Sequence, residues 1–266
     1  SNAISSVTVD LADTSAQAVG AGEGLDTLTN IENIVGSGFK DTFYSDHTKA
    51  NVFDGGVADN TGGDTVSYIN LKNDKTGTAY TGTYAFNALG HRVMKTVSGQ
   101  SRYFVYNENN QLIGEYDNSG NAIAEYVYFG LRPVAVKTGG NINIVHTDYL
   151  TTPRVVTSGG SVVWQWKNDN PYGNNQAQGS IEFNLRFAGQ YYDAESGLHY
   201  NIHRTYNPEI GRYMQSDPLG LSAGSNTYNY VGRNPFDAVD PLGLRGQSYA
   251  GNLDPVIVNV GKNVDV

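Results

Sequence analysis

The sequence predicts an all-β fold, and three features of its 266 residues predict it. Nineteen Tyr and 32 Gly against 2 Met and 8 Pro describe aromatic-studded strands joined by glycine turns, not a helical bundle. A short unit recurs in which an aromatic residue is followed by Asn or Asp and, a few places on, by Gly or Asn. Cysteine is absent, so burial alone must hold the chain together, and disulfides, thiolate zinc sites and a cysteine nucleophile are excluded. The length suffices for one large all-β domain or two smaller ones.

Composition narrows the partners. The formal charge of −9 and a pI near 4.9 argue against a nucleic-acid partner, whose phosphates call for basic patches. No run of about 18 apolar residues is present, so no membrane span is expected. An acidic chain suits calcium or a crowded extracellular medium.

In chain order, Ser1-Asn2-Ala3 reads as the scar of a removed tag. Residues 4–79 form a Gly/Asp-rich segment with short apolar runs such as Ile31-Glu32-Asn33-Ile34-Val35 and Asn51-Val52-Phe53. Gly36-Ser37-Gly38-Phe39-Lys40-Asp41 and Asn51-Val52-Phe53-Asp54-Gly55-Gly56 resemble the calcium-binding nonapeptide repeats of bacterial RTX proteins. The resemblance implies a short parallel β-roll. It also implies calcium as the one cofactor, held by the carboxylates of Asp26, Asp41, Asp54 and Asp64 together with turn carbonyls, the all-oxygen shell calcium prefers. The family's Gly-Gly-x-Gly-x-Asp is degenerate here, and Val57-Ala58-Asp59-Asn60-Thr61 interrupts the next copy. A solvated Asn/Asp turn region without an ion is the competing reading.

From residue 80 the units become aromatic-led: Phe86-Asn87-Ala88-Leu89-Gly90, Tyr106-Asn107-Glu108-Asn109-Asn110 and Tyr116-Asp117-Asn118-Ser119-Gly120. Each reads as a hairpin in which a strand ends on the aromatic, the Asx residue opens the turn, and Gly or Asn takes the left-handed position. Looser copies start at Tyr192 and Tyr206. Stacked side by side, such units bury a surface that none could bury alone. They resemble the tyrosine/aspartate (YD) repeats of the bacterial Rhs family. His146-Thr147-Asp148-Tyr149-Leu150-Thr151-Thr152-Pro153-Arg154 is similar to that family's His-Thr-Asp-His-Leu-Gly-Thr-Pro-Arg and departs from it at Tyr149 and Thr151. Phe187-Ala188-Gly189-Gln190-Tyr191-Tyr192-Asp193, Gly211-Arg212-Tyr213 and Tyr228-Asn229-Tyr230-Val231-Gly232-Arg233-Asn234-Pro235 continue the match, so residues 80–244 are identified as an Rhs repeat-associated core.

The pentapeptide Asp-Pro-Leu-Gly-Leu occurs twice, at residues 217–221 and 240–244. Pro presets φ and Gly tolerates a positive φ, so two good turns are one reading. A pair of carboxylates for acid/base cleavage of an amide is the other. The Rhs resemblance implies the second. In that family the repeats wind into a hollow β shell around a C-terminal toxin, and the end of the core is an aspartyl autoprotease. Carried over, Asp217 and Asp240 are the catalytic pair, two close carboxylates sharing one proton. Leu244–Arg245 is then the scissile bond, and residues 245–266 begin the variable toxin. Arg212 or Arg233 would balance the charge of the pair, with a salt bridge closing the repeat as the competing role for each. The implied partners are the chain's own C-terminal toxin payload and a cognate immunity protein. The competing class is a non-enzymatic surface or wall-associated repeat protein for adhesion, with a cell-surface glycan as partner.

Other constellations carry less. His199 and His203 are four apart but lack the Glu that a zinc protease helix places beside the first His. There is no Gly-x-Ser-x-Gly elbow for a hydrolase triad. Trp164 and Trp166 alternate around Gln165 and so share one strand face, which reads as core packing ahead of a sugar platform. A complete shell takes several times the repeat length present, so a strip of shell is expected, not a closed one.

Overall fold

The computed structural model of the protein describes residues 79–167 and 169–248 continuously, and before them residues 8–10, 13, 15–17, 26–27, 33–35, 42–45, 52–54 and 65–72. The early strands are β1 (Thr8–Asp10), β2 (Ala16–Gln17), β3 (Asp26–Thr27), β4 (Asn33–Val35), β5 (Thr42–Ser45), β6 (Val52–Asp54) and β7 (Thr65–Lys72). An antiparallel meander follows: β8 (Ala79–Phe86), β9 (Arg92–Val97), β10 (Gln100–Tyr106), β11 (Leu112–Tyr116), β12 (Ala122–Phe129), β13 (Arg132–Thr138), β14 (Asn141–Thr147), β15 (Pro153–Ser158), β16 (Ser161–Gln165) and β17 (Gln178–Gly179). A smaller four-stranded sheet comprises β18 (Tyr191–Asp193), β19 (Leu198–Asn201), β20 (Arg204–Asn207) and β21 (Arg212–Tyr213). Last come β22 (Ala238–Val239) and β23 (Gln247–Ser248). The all-β expectation holds.

Among the described residues the meander belongs to one sheet of 13 strands, in the order β1-β5-β7-β8 and then consecutively to β17. Both expected segment boundaries are bridged by strand pairing. β7 pairs antiparallel with β8, so the sheet runs unbroken past residue 79. β23, beyond residue 244, pairs back onto β22. β1 with β5, β5 with β7 and β4 with β6 pair in parallel, the sense a β-roll uses. Of the four expected calcium ligands, Asp26 and Asp54 lie on β3 and β6, while Asp41 and Asp64 lie outside the described residues.

The repeated unit folds as its residue types require. Asn87 Oδ1 accepts the backbone N–H groups of Leu89 and His91, both at 3.0 Å, and Gly90 closes the turn at φ +78°. Asn107 does the same for Asn109 and Gln111, and Asp117 for Ser119 and Asn121. Asp148 repeats it with Leu150 and Thr152. One side-chain oxygen thus satisfies two amides that the hairpin would otherwise leave unpaired, which fixes the register of each strand pair.

Strand alternation then sorts the faces. Tyr126 opposes Val136, Val145 opposes Val156 and Val156 opposes Trp164, giving buried cross-strand rows on one face of the strip. The four-stranded sheet packs onto that face through an aromatic cluster. Tyr206 meets Tyr230 at 4.8 Å between ring centres, Tyr230 stacks on Phe187, and Trp164 meets Phe183 at 4.8 Å. Trp164 and Trp166 are both buried in this core, as their alternation implied. Each buried ring contributes ~1.5–3 kcal/mol. A buried ionic cluster adds a second joint: Arg92 of β9 binds both oxygens of Asp193 at 2.6 and 2.9 Å, and Lys95 reaches Asp193 and Glu195.

Candidate active site

The twin turns converge on one side chain. The hairpin of β19 and β20 is closed at Ile202 and His203, and pairing of Asn201 with Arg204 sets both beside the incoming 240–244 segment. Arg204 Nη2 lies 2.8 Å from Asp217 Oδ2 and 3.2 Å from Asp240 Oδ2. The two carboxylates are therefore clamped by one nitrogen, and all three residues are buried. The remaining guanidinium donors hold backbone in the second turn and beside the first: Nε donates to Gly243 O at 2.5 Å, and Nη1 donates at 3.0 Å to Thr227 O, the carbonyl that also accepts from Asp217 N. The Tyr213 ring lies under the guanidinium, with Arg204 Cζ 3.6 Å from its centre, and Tyr213 Oη donates to Asp240 Oδ2 at 2.8 Å. Burial, reinforced by the Asp240 charge, pushes the Tyr213 hydroxyl well above its ordinary range, so it stays neutral and keeps its proton to donate. Asn201 Nδ2 donates to Tyr213 Oη at 2.8 Å and to Asp240 O at 2.9 Å.

Identical letters do different work in the two turns. Asp217 Oδ1 accepts from Leu219 N at 2.9 Å, two residues on, as the Asx residues of the strip do. Asp240 Oδ1 reaches further and accepts from Leu244 N at 3.0 Å and Arg245 N at 3.2 Å. The carboxylate of Asp240 is thus in contact with the nitrogen of the Leu244–Arg245 peptide bond. Leu244 is half-buried and Arg245 is exposed. Two glycines make room. Gly243 sits at φ +68° with Asn201 O 2.4 Å from where a Cβ would be, and Gly189 at φ +80° with Pro241 O 1.9 Å from where its Cβ would be.

Of the residues singled out from sequence, the structure brings Asp217, Asp240 and the Leu244–Arg245 bond together. It does not bring Arg212 or Arg233 to them. Both are exposed; Arg212 pairs through its backbone with Asn207 and Asn229, and Arg233 Nε donates to Asn229 Oδ1 at 3.4 Å. Among the described residues the ion pairs to both acids come from Arg204. Arg204 had a readable signal: it shares strand parity with Tyr206, so a cation occupies a buried position in a Tyr-rich hairpin, which demands a counter-charge. His199 is buried with Nδ1 2.7 Å from Gln190 Oε1, whereas His203 is exposed at the turn. Among the described residues no three His, Asp or Glu side chains gather as a metal site, and no helix is long and apolar enough to cross a membrane.

A family model, the Teneurin YD-shell, matches residues 78–230, more than half of the chain. The chain is 33% identical over 203 residues to "Double-stranded DNA deaminase toxin A" of Burkholderia cenocepacia (strain H111), covering 63% of this chain and 14% of that protein. It is 35% identical over 178 residues to "Probable deoxyribonuclease RhsB" of Dickeya dadantii (strain 3937), covering 61% of this chain and 12% of that protein. Among solved structures, a crystal structure of TcdB2-TccC3 superposes with a TM-score of 0.52 at 23% identity, over 66% of this chain and 10% of that one. The chain therefore spans a small fraction of these relatives, and the structural likeness concerns the fold.

Proposed function

Because the chain belongs to the Teneurin YD-shell family, we propose that it is the closing strip of a secreted, bacterial Rhs-type toxin shell that houses a C-terminal effector and frees it by cutting its own chain after Leu244. One observation carries the cleavage reading: Asp240 contacts the Arg245 nitrogen while sharing Arg204 Nη2 with Asp217. Two buried carboxylates against one guanidinium leave one negative charge in excess, which suits one of them to act as a base. Asp217 is the group that takes a proton from water as the water oxygen bonds to the Leu244 carbonyl carbon. That proton passes through the pair to the departing nitrogen, beside which Asp240 lies, as the C–N bond breaks, leaving on Leu244 a carboxylic acid, which loses its own proton to solvent, and an amine on Arg245. Arg204 and Tyr213 hold both acids in place throughout.

Mass spectrometry of a longer chain carrying residues beyond 266 tests this. The wild type is expected to break after Leu244 and Asp240→Asn to remain whole; an intact wild-type chain would sink the protease claim. The payload is the chain's own C-terminal region, and a cognate immunity protein follows from a toxin payload. Calcium at Asp26, Asp41, Asp54 and Asp64 is proposed on the RTX-like sequence alone, and melting with calcium against EGTA tests it.

A further inference from the structure

The segment on the far side of the scissile bond is not a free tail. Arg245 N is held by Asp240, Gly246 packs on Val231, and Gln247 and Ser248 form β23, with Val239 opposite Gln247 and Ala238 opposite Ser248. The partner strand β22 ends at the residue immediately before Asp240, so the acid and the strand that holds the leaving segment are consecutive in the chain. At Gly246 a Cβ would lie 2.9 Å from Val231 Cα and 3.4 Å from Val231 Cβ and Cγ1. The obstructing atom is backbone, which cannot swing aside. Val231 is itself buried at φ +41°, followed by Gly232 at +64° and Arg233 at +69°. A β-branched residue in the left-handed region is a strained outlier, and such strain persists where the surroundings over-determine it and clusters at working sites. Residues 245 to 248 are all exposed, as expected for a strand gripped by its backbone, and the restriction at 246 comes from the one side that faces Val231.

Resting on the self-cleavage reading, we infer that the core reads the leaving side of its own cut: Val231 admits only glycine at the second position beyond the bond, and β22 captures the third and fourth as an added strand whatever their side chains. The occupant is the first residues of the payload. Backbone pairing makes the capture indifferent to the side chains at 247 and 248, because main-chain groups carry the affinity and only position 246 is read. Gly246 and Val231 are positioning residues; they fix the amide against Asp240 and do no chemistry. A two-residue ladder is weak, so the severed end leaves once the covalent bond is gone.

The test uses the longer chain with its payload. Gly246→Ala and Gln247→Pro, which puts a proline into β23 without touching Val231, are each expected to slow the cut on the order of 10- to 100-fold, since misplacement by about 1 Å costs that much. The melting temperature is expected to stay at the wild-type value, which separates misplacement from unfolding. In uncut Asp240→Asn chain, amides of residues 246–248 are expected to exchange slowly, and Gln247→Pro to abolish that protection. Wild-type cutting rates in both variants would overturn the inference and leave self-cleavage standing. An uncut wild type would end the self-cleavage reading, and the exchange measurement then decides alone: rapid exchange at 246–248 overturns the captured strand.

Discussion

At the scale of single residues, Arg204 carries more than its charge. It pairs with both Asp217 and Asp240 through one nitrogen and ties Gly243 and Thr227 with the others. Arg204→Met is expected to cost ~3–5 kcal/mol, because it leaves two buried carboxylates with no counter-charge, and to abolish the cut. Urea denaturation and mass spectrometry read the two effects. The exposed Arg212→Ala and Arg233→Ala are expected to stay within ~0.5 kcal/mol of wild type and to cut normally. Tyr213→Phe removes one donor to Asp240 and is expected to cost ~1–3 kcal/mol while Arg204 stays in place. The twin pentapeptides were legible as turns and as acids. Which acid touches the peptide bond was not, because identical sequences make different contacts once distinct neighbours surround them.

At the scale of elements, the turns and the ionic joint can be separated by experiment. Gly120 and Gly189 have nearly the same φ, +79° and +80°, yet a Cβ meets nothing within 4 Å at the first and Pro241 O at the second. Gly120→Ala is expected to cost ~1–2 kcal/mol from backbone strain alone. Gly189→Ala should cost more than Gly120→Ala and displace the 240–244 turn, read as lost cutting alongside a lower melting temperature. The joint between β9 and β18 has a pH signature. Burial opposes the Asp193 charge, but Arg92 and Lys95 outweigh it and hold the carboxyl below its ordinary value. The stability this acid contributes is therefore present above the unfolded value near pH ~3.9 and is lost as pH falls through the depressed folded value. Asp193→Asn is expected to destabilise the protein at neutral pH, with the gap from wild type closing below about pH 4 in acid titrations followed by circular dichroism.

At the scale of the whole molecule, strip and small sheet share one aromatic core that holds both tryptophans. Trp fluorescence and far-ultraviolet circular dichroism of residues 79–248 are therefore expected to report one coincident unfolding transition, and two separated transitions would contradict the shared core. The sequence by itself determined the all-β class, the Asx hairpins, the repeat-associated core and the two acids, because these rest on local rules: strand parity, turn chemistry and residue type read within a few positions. Only the tertiary structure decided that Arg204 is the counter-charge, that the sheet continues past residue 79, and that the chain after Leu244 returns as β23. Those depend on which distant segments meet, such as Arg204 with Asp240 and Arg92 with Asp193, and no spacing along the chain encodes a contact made 36 or 101 residues away.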